Sequence, residues 1–552
     1  MATVCGTATP AWGTHDLPTL TLTRAQIAER IAQGDVLVLH RRLVYRLNYW
    51  VDKHPGGDLA ILHFVGRDAK DEIEVYHSET TIRMLMRRFA IAQLAEEDAT
   101  DIQNGRVFRP LMPPIQLGYR DGKLDHPDAQ LDVWKRSKSV HSTLDARVQS
   151  FPIPTAMLEP PPSNVSLLDE ARISHAFEVM HQRIKDAGLY TLNPWNYARE
   201  AVRYAMVAIC SYVLYHAAPH LQGWWSTTAY LGSALALGVL WQQLTFVAHD
   251  AGHCGITHSW PVDHFIGVVV AAYIGGLSLV WWCDNHDVHH LVTNHPEHDP
   301  DIQHMPIFAV TPRFVQEPSA PRAKQHSQAP RGLWSSYYRR VMYFDAAAQL
   351  LLRFQHRLYY IIMSLARFNL YFLSYSFLFL KAKWDRWFYF EVVGLVSFWA
   401  WYGGIVLANL PNWRIALGYM LLSHMAASPV HVQIVLSHFA QDTSDLGPQE
   451  CFPSRQIRTT MDVQCGKEIE FIHGGLHMQV THHLFPRLPR HNLRAARDLF
   501  TRPFCEEMGL LYEEMSFGPG NGKVLRRLKD IADQVSFLFC VADAQARGEL
   551  HG

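Results

Sequence analysis

Long apolar runs separated by polar segments dominate the sequence after residue 200. Four of these runs each approach the ~20 residues that a helix needs to cross a bilayer. They occupy residues 201–219, 228–247, 387–410 and 415–437. Two further apolar segments lie at residues 264–282 and 358–380. The pattern therefore predicts an all-α portion embedded in a membrane, with four to six candidate spans.

The first hundred residues have the pattern of a small soluble α+β domain. Short β-like runs in "DVLVLHRRLVYRLNYW" precede a Pro-Gly-Gly turn, and "DLAILHFVGRDAKDEIEVYH" has helical periodicity. Residues 104–166 are rich in proline and charge, which is typical of a tether. We therefore predict an N-terminal tail (1–20), the small domain (21–103), a linker with a cytosolic helix (104–193), the membrane domain (194–510) and a C-terminal cytosolic tail (511–552).

Composition narrows the class of protein. The formal net charge of −1 over 552 residues gives no basic field, so we expect no nucleic-acid partner. The eight cysteines include no CxxC pair and indicate neither a disulfide framework nor a zinc finger. The N-terminus lacks a signal-peptide pattern, so we expect it to start in the cytosol. The outlier is histidine, with 32 residues.

Three clusters of polar residues each follow an apolar segment. They are "HDAGH", "HDVHH" and "QVTHH", with the candidate metal-binding residues His249, His253, His286, His289, His290, Gln479, His482 and His483. Spacings of three and four residues place side chains on one helical face, and imidazole suits iron, copper or zinc. One cluster alone would more often be structural. Three together indicate a metal site, and seven histidines exceed the needs of one metal, which favours two. His438, at the inner end of the last span, is a candidate eighth histidine.

The clusters also restrict the topology. If they form one site they share one face of the membrane, so the number of crossings between them is even. Residues 264–282 should then not cross, and residues 358–380, which include Arg367 and Asn369, are interpreted as an interfacial helix. The two proposed outer loops, "AAPHLQGWWST" and "NLPNWR", contain between them one lysine or arginine, Arg414. The positive-inside rule therefore places the clusters and both termini in the cytosol, with four spans.

Polar residues near the clusters are expected to play supporting roles. Asp299 and Asp301 are expected to orient imidazoles through their free N–H groups. The remaining nearby histidines are interpreted as loop, supporting or structural residues, and they are His295, His298, His304, His473 and His477. Residues 277–282 are expected to form part of the wall of an apolar substrate channel.

The three clusters resemble the histidine boxes of membrane di-iron desaturases. A glutamine at the start of the third box, here Gln479, is the mark of the front-end desaturases. The resemblance covers about residues 194–500 and implies that these clusters bind two iron ions, with Gln479 in or near the metal's surroundings. Thr481 and His477 depart from the usual glutamate and asparagine.

Two histidines in the small domain pose a separate question. His54 precedes the Pro-Gly-Gly turn and His77 follows a helical stretch. Two histidines can hold a haem iron from both sides, which favours electron transfer over oxygen binding; the alternative is a plain turn. The segment resembles cytochrome b5, whose haem ligands match His54 and His77, and this implies that residues 21–103 bind haem b. His63 is not expected to be a ligand.

Nearly the whole chain resembles the fungal Δ8-sphingolipid desaturases, in segments such as "NHPEHDPDIQHMP" and "SPVHVQIVLSHFAQ". The resemblance implies O2-dependent formation of a double bond at carbon 8 of the long-chain base of ceramide or glucosylceramide. It also implies electrons from NADH through a cytochrome b5 reductase. The expected location is the endoplasmic reticulum membrane, with the haem and di-iron sites on its cytosolic face.

Three alternatives remain at this point. A front-end fatty-acyl desaturase acting on acyl-lipid or acyl-CoA would share every metal box. A cytochrome b5-fused lipid hydroxylase typically begins its third box with histidine, so Gln479 argues against it. A non-enzymatic electron carrier would be expected to have lost ligands, and none is lost.

Overall fold

The structure is a computed structural model that describes residues 18–117, 153–315, 332–547 and 549. Most of the predicted N-terminal tail and residues 118–152 of the predicted linker lie outside these ranges. The described residues fall into two units. The first lies within residues 1–175 and 446–452, and the second within residues 176–445 and 453–552.

The first unit contains a four-stranded sheet with short helices. Its strands, in the order β1-β4-β3-β2, are β1 (Thr21–Leu22), β2 (Leu37–His40), β3 (Leu43–Arg46) and β4 (Ala90–Leu94). The pair β1–β4 is parallel and the other two pairs are antiparallel. The helices are α1 (Arg24–Ala32), which Thr23 and Gln26 start with a capping box, α2 (Leu59–Leu62) and α3 (Lys70–Tyr76). The predicted α+β fold of this domain is confirmed.

The first part of the predicted linker packs against this unit. Leu111 and Ile115 are buried, and the Leu111 amide donates to the carbonyl of Gly66. Gly66 has a φ of +81°, and a Cβ there would lie 2.7 Å from the Leu111 side chain. The chain is thus held closely at this point. Helix α4 (Leu167–Asp186) follows before the membrane domain begins.

Four helical segments of the second unit are long and apolar enough to cross a membrane. They are Pro194–His220, Trp224–Gly252, Arg386–Leu407 and Trp413–Leu436. The α-helices from residue 194 to residue 436 are α5 (Pro194–Ala217), α6 (Trp224–Gly252), α7 (Trp260–Val268), α8 (Leu279–Leu291), α9 (Ala346–Leu352), α10 (Gln355–Ser364), α11 (Ala366–Leu380), α12 (Arg386–Trp399), α13 (Trp413–Ala426) and α14 (Pro429–Leu436). The four candidate spans contain α5, α6, α12, and α13 with α14. The four predicted spans are confirmed as candidate membrane helices.

The two segments that were predicted not to cross are bent. The helical segments Trp260–Ile274 and Leu279–Leu291 meet at 116°, and Gln355–Ser364 and Ala366–Leu380 meet at 70°. By length and composition each bent pair could also count as one broken span. Their placement on one side of the membrane therefore stays a prediction.

Small residues bring the spanning helices together. A Cβ at Gly238 on α6 would lie 2.3 Å from the carbonyl oxygen of Ser423 on α13, so the two backbones are in direct contact there. Ser233 bonds to Ser211 of α5 and to the Tyr419 hydroxyl of α13. Close backbone contact and hydrogen bonds thus fix the positions of α5, α6 and α13 relative to one another.

The remaining elements surround the third histidine cluster and the C-terminus. The helices are α15 (Phe452–Arg458), α16 (Glu470–His473), α17 (Gln479–Leu484), α18 (Leu493–Ala496), α19 (Arg502–Met508) and α20 (Phe517–Ala546), and the strands are β5 (Gly332–Ser335), β6 (Arg340–Tyr343), β7 (Asp462–Gln464) and β8 (Glu514–Ser516). Strands β5 and β6 form an antiparallel pair, and β7 and β8 form a parallel pair.

The segment expected to be a C-terminal tail contains the long helix α20. Its buried residues Val524, Leu528, Ile531 and Val535 pack in two apolar clusters, with residues of α10 and α9 respectively. Their spacing of four, three and four residues is the periodicity of an amphipathic helix. That periodicity was the signal by which the sequence could have predicted a docked helix.

Candidate metal centre and haem site

The three histidine clusters meet at the ends of three helices. His249 lies on the last turn of α6 and His253 ends that helix, His286, His289 and His290 lie on α8, and His482 and His483 lie on α17. All of them are buried. On α8, His286 and His290 lie one turn apart, and on α17, His482 and His483 are adjacent, so each helix presents its imidazoles from a short stretch of backbone.

The imidazoles form two adjacent groups. In the first, the ligand nitrogens of His249, His253, His286 and His482 lie within 4.8 Å of one another. In the second, the same holds for His289, His438 and His483. The geometry is suited to two metal ions side by side.

His290 lies between the two groups. Its Nε2 is 3.1 Å from Nε2 of His286. Its ring stacks on His483 with centroids 4.0 Å apart and lies 4.7 Å from the ring of His253. All eight histidines proposed from the sequence are thus brought together.

The donor atoms fit metal ions. Several buried ring nitrogens have no hydrogen-bond partner among the described residues, including both nitrogens of His253 and Nε2 of His289, His482 and His483. Buried polar atoms nearly always have partners, so such a cluster is expected where metals supply them. Burial also lowers the pKa of His482 and His483 well below the usual range. The rings are therefore neutral, which is the form that binds metals.

Carboxylate and amide side chains hold the outer nitrogens of these rings. Nδ1 of His289 is 2.9 Å from Asp299, and Nδ1 of His286 is 3.4 Å from Asp301. Burial would lower the pKa of His289, but Asp299 and Asp301 raise it. Gln456 was not among the predicted site residues; its Oε1 is 3.0 Å from Nδ1 of His483, and its amide donates to the carbonyl of His290.

Gln479 is buried on the first turn of α17, and it lies near enough to His438 to oppose slightly the lowering of that residue's pKa by burial. His438 contacts the rings of both His289 and His483, at centroid distances of 4.6 and 4.7 Å. The structure thus places Gln479 beside the second histidine group. Its part in metal binding stays a prediction.

The other histidines lie outside these groups. His295 is 3.3 Å from Asp445, His298 bonds to Ser336, and His304 bonds to the carbonyl of Asp301. His473 bonds to Gln433 on α14. Among the described residues, His304 therefore reaches the centre through Asp301.

Trp282 lies against the first group. Its ring stacks on His286 with centroids 4.4 Å apart and is 5.3 Å from both His249 and His253. A Cβ at Gly252, inside "HDAGH", would lie 2.2 Å from this ring. The glycine therefore makes room for the tryptophan, which belongs to the segment expected to line the channel.

A buried ion network, also missed from the sequence, holds the end of α6. Arg490 bonds to Asp250 and Glu200, and it donates to the carbonyl of Phe246 at 2.9 Å. The Tyr197 hydroxyl donates to Asp250 at 2.6 Å. Asp250 sits in the first box and Arg490 follows the third, so the network links the segments that carry their histidines.

His54 and His77 face each other in the first unit. Their ring centroids are 6.1 Å apart, a separation that admits one metal atom between them. Nδ1 of His54 bonds to the carbonyl of Gly57 at 3.0 Å, and Nδ1 of His77 to that of Ile73 at 3.1 Å. These bonds fix the tautomer in which Nε2 carries the lone pair, so the pair fits a haem iron. Nδ1 of His63 bonds instead to Gln116 at 3.0 Å.

Comparison with known proteins agrees with both sites. The sequence profile of the family "Fatty acid desaturase" matches residues 223–516, and that of "Cytochrome b5-like Heme/Steroid binding domain" matches residues 23–95. The chain belongs to the fatty acid desaturase family and has a cytochrome b5-like domain at its N-terminal side. It is thus a membrane-associated oxidoreductase, and the two domains imply haem and iron.

Its relatives are more specific. The chain is 40% identical to the "Delta 8-(E)-sphingolipid desaturase" of Emericella nidulans, over 94% of this chain and 95% of the relative. It is 39% identical to the protein of the same name from Komagataella phaffii, with the same coverage. It is also 28% identical to the "Delta(8)-fatty-acid desaturase 2" of Arabidopsis thaliana, over 91% of each chain. The resemblance inferred from the sequence is confirmed.

Proposed function

We propose that the protein is an O2-dependent desaturase that introduces a double bond at carbon 8 of the sphingoid long-chain base of ceramide or glucosylceramide. The observation that carries this proposal is the full-length identity of 36–40% to proteins named Delta 8-(E)-sphingolipid desaturase. The buried histidine clusters support the proposal, because they could hold the metal ions that O2-dependent desaturation requires.

The reaction needs a strong oxidant, since an unactivated methylene has no acidic proton for a base to remove. Two iron ions, when bound, supply that oxidising power together with O2. We propose that His249, His253, His286 and His482 hold one iron and that His289, His438 and His483 hold the other, with His290 between them and Gln479 beside the second.

The protein's own residues keep this centre in shape. Asp299, Asp301 and Gln456 accept from the outer nitrogens of His289, His286 and His483, which fixes each ring and directs its other nitrogen inward. Trp282 covers the first group from the side of the expected channel. A wall of this kind would exclude water and hold two adjacent carbons of the chain at the centre.

Electrons are proposed to reach the iron pair from the haem domain of the same chain. His54 and His77 would hold the haem iron, and a haem held by two histidines would supply electron transfer. Because the domain is tethered, its effective concentration at the desaturase exceeds that of a separate carrier. We propose NADH and a cytochrome b5 reductase as the source of the electrons, and the cytosolic face of the endoplasmic reticulum as the location.

A second candidate is a front-end fatty-acyl desaturase. The Arabidopsis thaliana relative named Delta(8)-fatty-acid desaturase 2 favours it, since that protein aligns over 91% of this chain. The metal centre would be the same in both cases.

Lipid analysis tests the proposal directly. The protein is expressed in a host that lacks this unsaturation, and long-chain bases and fatty acids are analysed separately by mass spectrometry. We expect a new double bond at carbon 8 of the base. A new double bond in the fatty acids alone would replace the proposal by the second candidate, and a hydroxylated product would contradict both.

A further inference from the structure

A polar cavity lies away from the metal-binding histidines, beside the N-terminal end of α5. Its volume is about 320 Å³, and it is bounded by the start of α5, by residues 467–478 and by Arg490 and His491. The metal-binding histidines proposed above do not line it. It therefore requires its own explanation.

The cavity carries an excess of positive charge. Four cationic side chains line it, against the two carboxylates of Glu200 and Glu470. Both carboxylates are already engaged, Glu200 by Arg490 and, at 3.4 Å, by Arg203, and Glu470 by Arg494. Arg199 and Lys467 are exposed at the cavity and form no ion pair with any described residue. An anion would complement these two cations.

A buried donor also lines the cavity. His477 is 0% exposed, and neither of its ring nitrogens has a hydrogen-bond partner among the described residues. The nearby Glu470 carboxylate is 3.6 Å from Nε2, which is too long for a hydrogen bond. The Glu470 carboxylate thus faces Nε2, while Nδ1 has no partner among the described residues, and a buried ring nitrogen of this kind is expected to meet a ligand.

The cavity lies beside residues that are typical of a membrane boundary, and one of them, Phe471, lines it. Gln242 and Gln243, on the spanning helix α6, donate to the carbonyls of Ile472 and Phe471 at 2.7 and 2.9 Å. Those two residues expose 43% and 42% of their surface, and Trp195 at the start of α5 exposes 75%. Exposed apolar and aromatic residues held against the end of a span are typical of contact with the interface of a bilayer.

Arginine completes the site. Arg203 stacks over the ring of Phe471 at 4.8 Å and bonds to Gln243 at 3.1 Å, which holds its guanidinium at the cavity wall. Guanidinium groups bind phosphate oxygens in pairs, and basic pockets between spanning helices bind anionic lipid head groups. We propose that this cavity binds the phosphate of an anionic phospholipid from the surrounding leaflet, with Arg199, Arg203, Lys467 and His477 as its contacts.

Calorimetric titration tests this with the full-length, haem-loaded protein in a neutral detergent. The probe is the short-chain lipid dihexanoyl phosphatidylglycerol. The variant Arg199→Gln/Lys467→Gln removes two exposed charges and is expected to weaken binding at least tenfold. The matched variant Arg386→Gln/Arg414→Gln removes two exposed charges elsewhere in the membrane domain and is expected to bind within twofold of wild type. Equal affinities of the two variants would overturn the proposal.

Competition identifies the ligand. Inorganic phosphate at the same concentration is expected to leave the probe bound; full displacement would make this a site for free phosphate. A short-chain ceramide is likewise expected not to compete. If it does, the cavity is a substrate site and the proposal is wrong. The readout is binding, so its failure is distinguishable from a failure of the proposed desaturase activity.

Discussion

At the scale of single residues, the metal centre depends on imidazoles that are neutral when buried. Burial lowers the pKa of His438, His482 and His483, with neighbouring histidines acting in the same direction. His289 is the exception, because Asp299 and Asp301 oppose the effect of burial on its pKa. Neighbouring carboxylates thus shift the pKa of one buried histidine in the opposite direction from the others.

His290 offers a sharp test of the centre, since it contacts both histidine groups. We expect His290→Ala to lower product formation at least ~100-fold, more than the loss of a supporting residue costs. The Soret band of the haem should be unchanged, because the haem histidines belong to the other unit. His220→Ala, at an exposed position after α5, is the control and should retain activity. Product formation by His290→Ala at the wild-type level would contradict the ligand assignment.

Gln479 is tested by a substitution that adds a possible ligand. Gln479→His places an imidazole beside His438. The imidazole differs in shape from the amide of glutamine and carries a nitrogen that can bind a metal. We expect at least ~10-fold lower activity, since surroundings of this kind tune metal sites by 10–100-fold. Activity is measured with iron content in the same preparation. Unchanged values of both would show that Gln479 lies outside the metal's surroundings.

Glu72 makes the stability of the first unit depend on pH. Burial raises its pKa from 4.5 to about 7, although Arg67 opposes the shift. Between pH 4.5 and about 7 the folded state therefore keeps a proton that the unfolded state has lost. The contribution of Glu72 to stability is fully present below pH 4.5 and is lost as the pH rises through about 7.

Glu72→Gln should remove that dependence. One pKa unit corresponds to about 1.4 kcal/mol, so the variant is expected to gain on the order of 3 kcal/mol relative to wild type between low pH and pH 8. Denaturant unfolding followed at the Soret band, at several pH values, measures the free energy. A constant difference between variant and wild type across pH would show that Glu72 does not titrate in this way.

At the scale of elements, close approach between helices decides where the metal-binding side chains lie. Helix α6 meets α13 at Gly238 and meets Trp282 of α8 at Gly252. The Arg490 network then fixes the end of α6 through Asp250. The first two boxes are therefore positioned by contacts at residues that carry no metal chemistry themselves.

Gly252 allows this packing to be tested. In Gly252→Ala, a methyl group 2.2 Å from the Trp282 ring must displace it, and with it the rings of His249 and His286. Overpacking of this kind costs about 1–3 kcal/mol, so we expect a lower unfolding temperature and at least ~10-fold lower activity. Gly404→Ala, on the third span, meets nothing within 4 Å and should behave as wild type. Full activity of both variants would mean that the Trp282 contact is dispensable.

At the scale of the whole molecule, one chain carries both an electron carrier and a desaturase. His54 and His77 define the first site, and the eight clustered histidines define the second. Tethering replaces a bimolecular encounter by an intramolecular one. The arrangement removes the need for a separate immediate donor.

His54→Ala tests this arrangement. We expect loss of the Soret band and of desaturase activity, with the iron content unchanged. Added free cytochrome b5 should restore less than about a tenth of the activity at micromolar concentration, since a tether provides millimolar effective concentrations. Efficient rescue would show that the attached domain is not the immediate donor.

The class of fold, the four candidate spans and the histidines that meet at the two sites could be predicted from the amino-acid sequence alone. Spans follow from runs of about 20 apolar residues, and ligand clusters from spacings of three and four on a helix. Both patterns are local in the sequence, so they can be recognised without knowledge of the fold. The periodicity of α20 is equally local, although residues 511–552 were expected to form a tail.

The division of the histidines into two groups, and the side chains that hold them, depend on tertiary packing. Gln456 is 27 residues from His483, and Arg490 is 240 residues from Asp250, so no spacing in the sequence pairs them. The cavity beside α5 likewise combines residues from distant segments. Such contacts are set by how separate helices pack, and a local pattern contains no information on that packing.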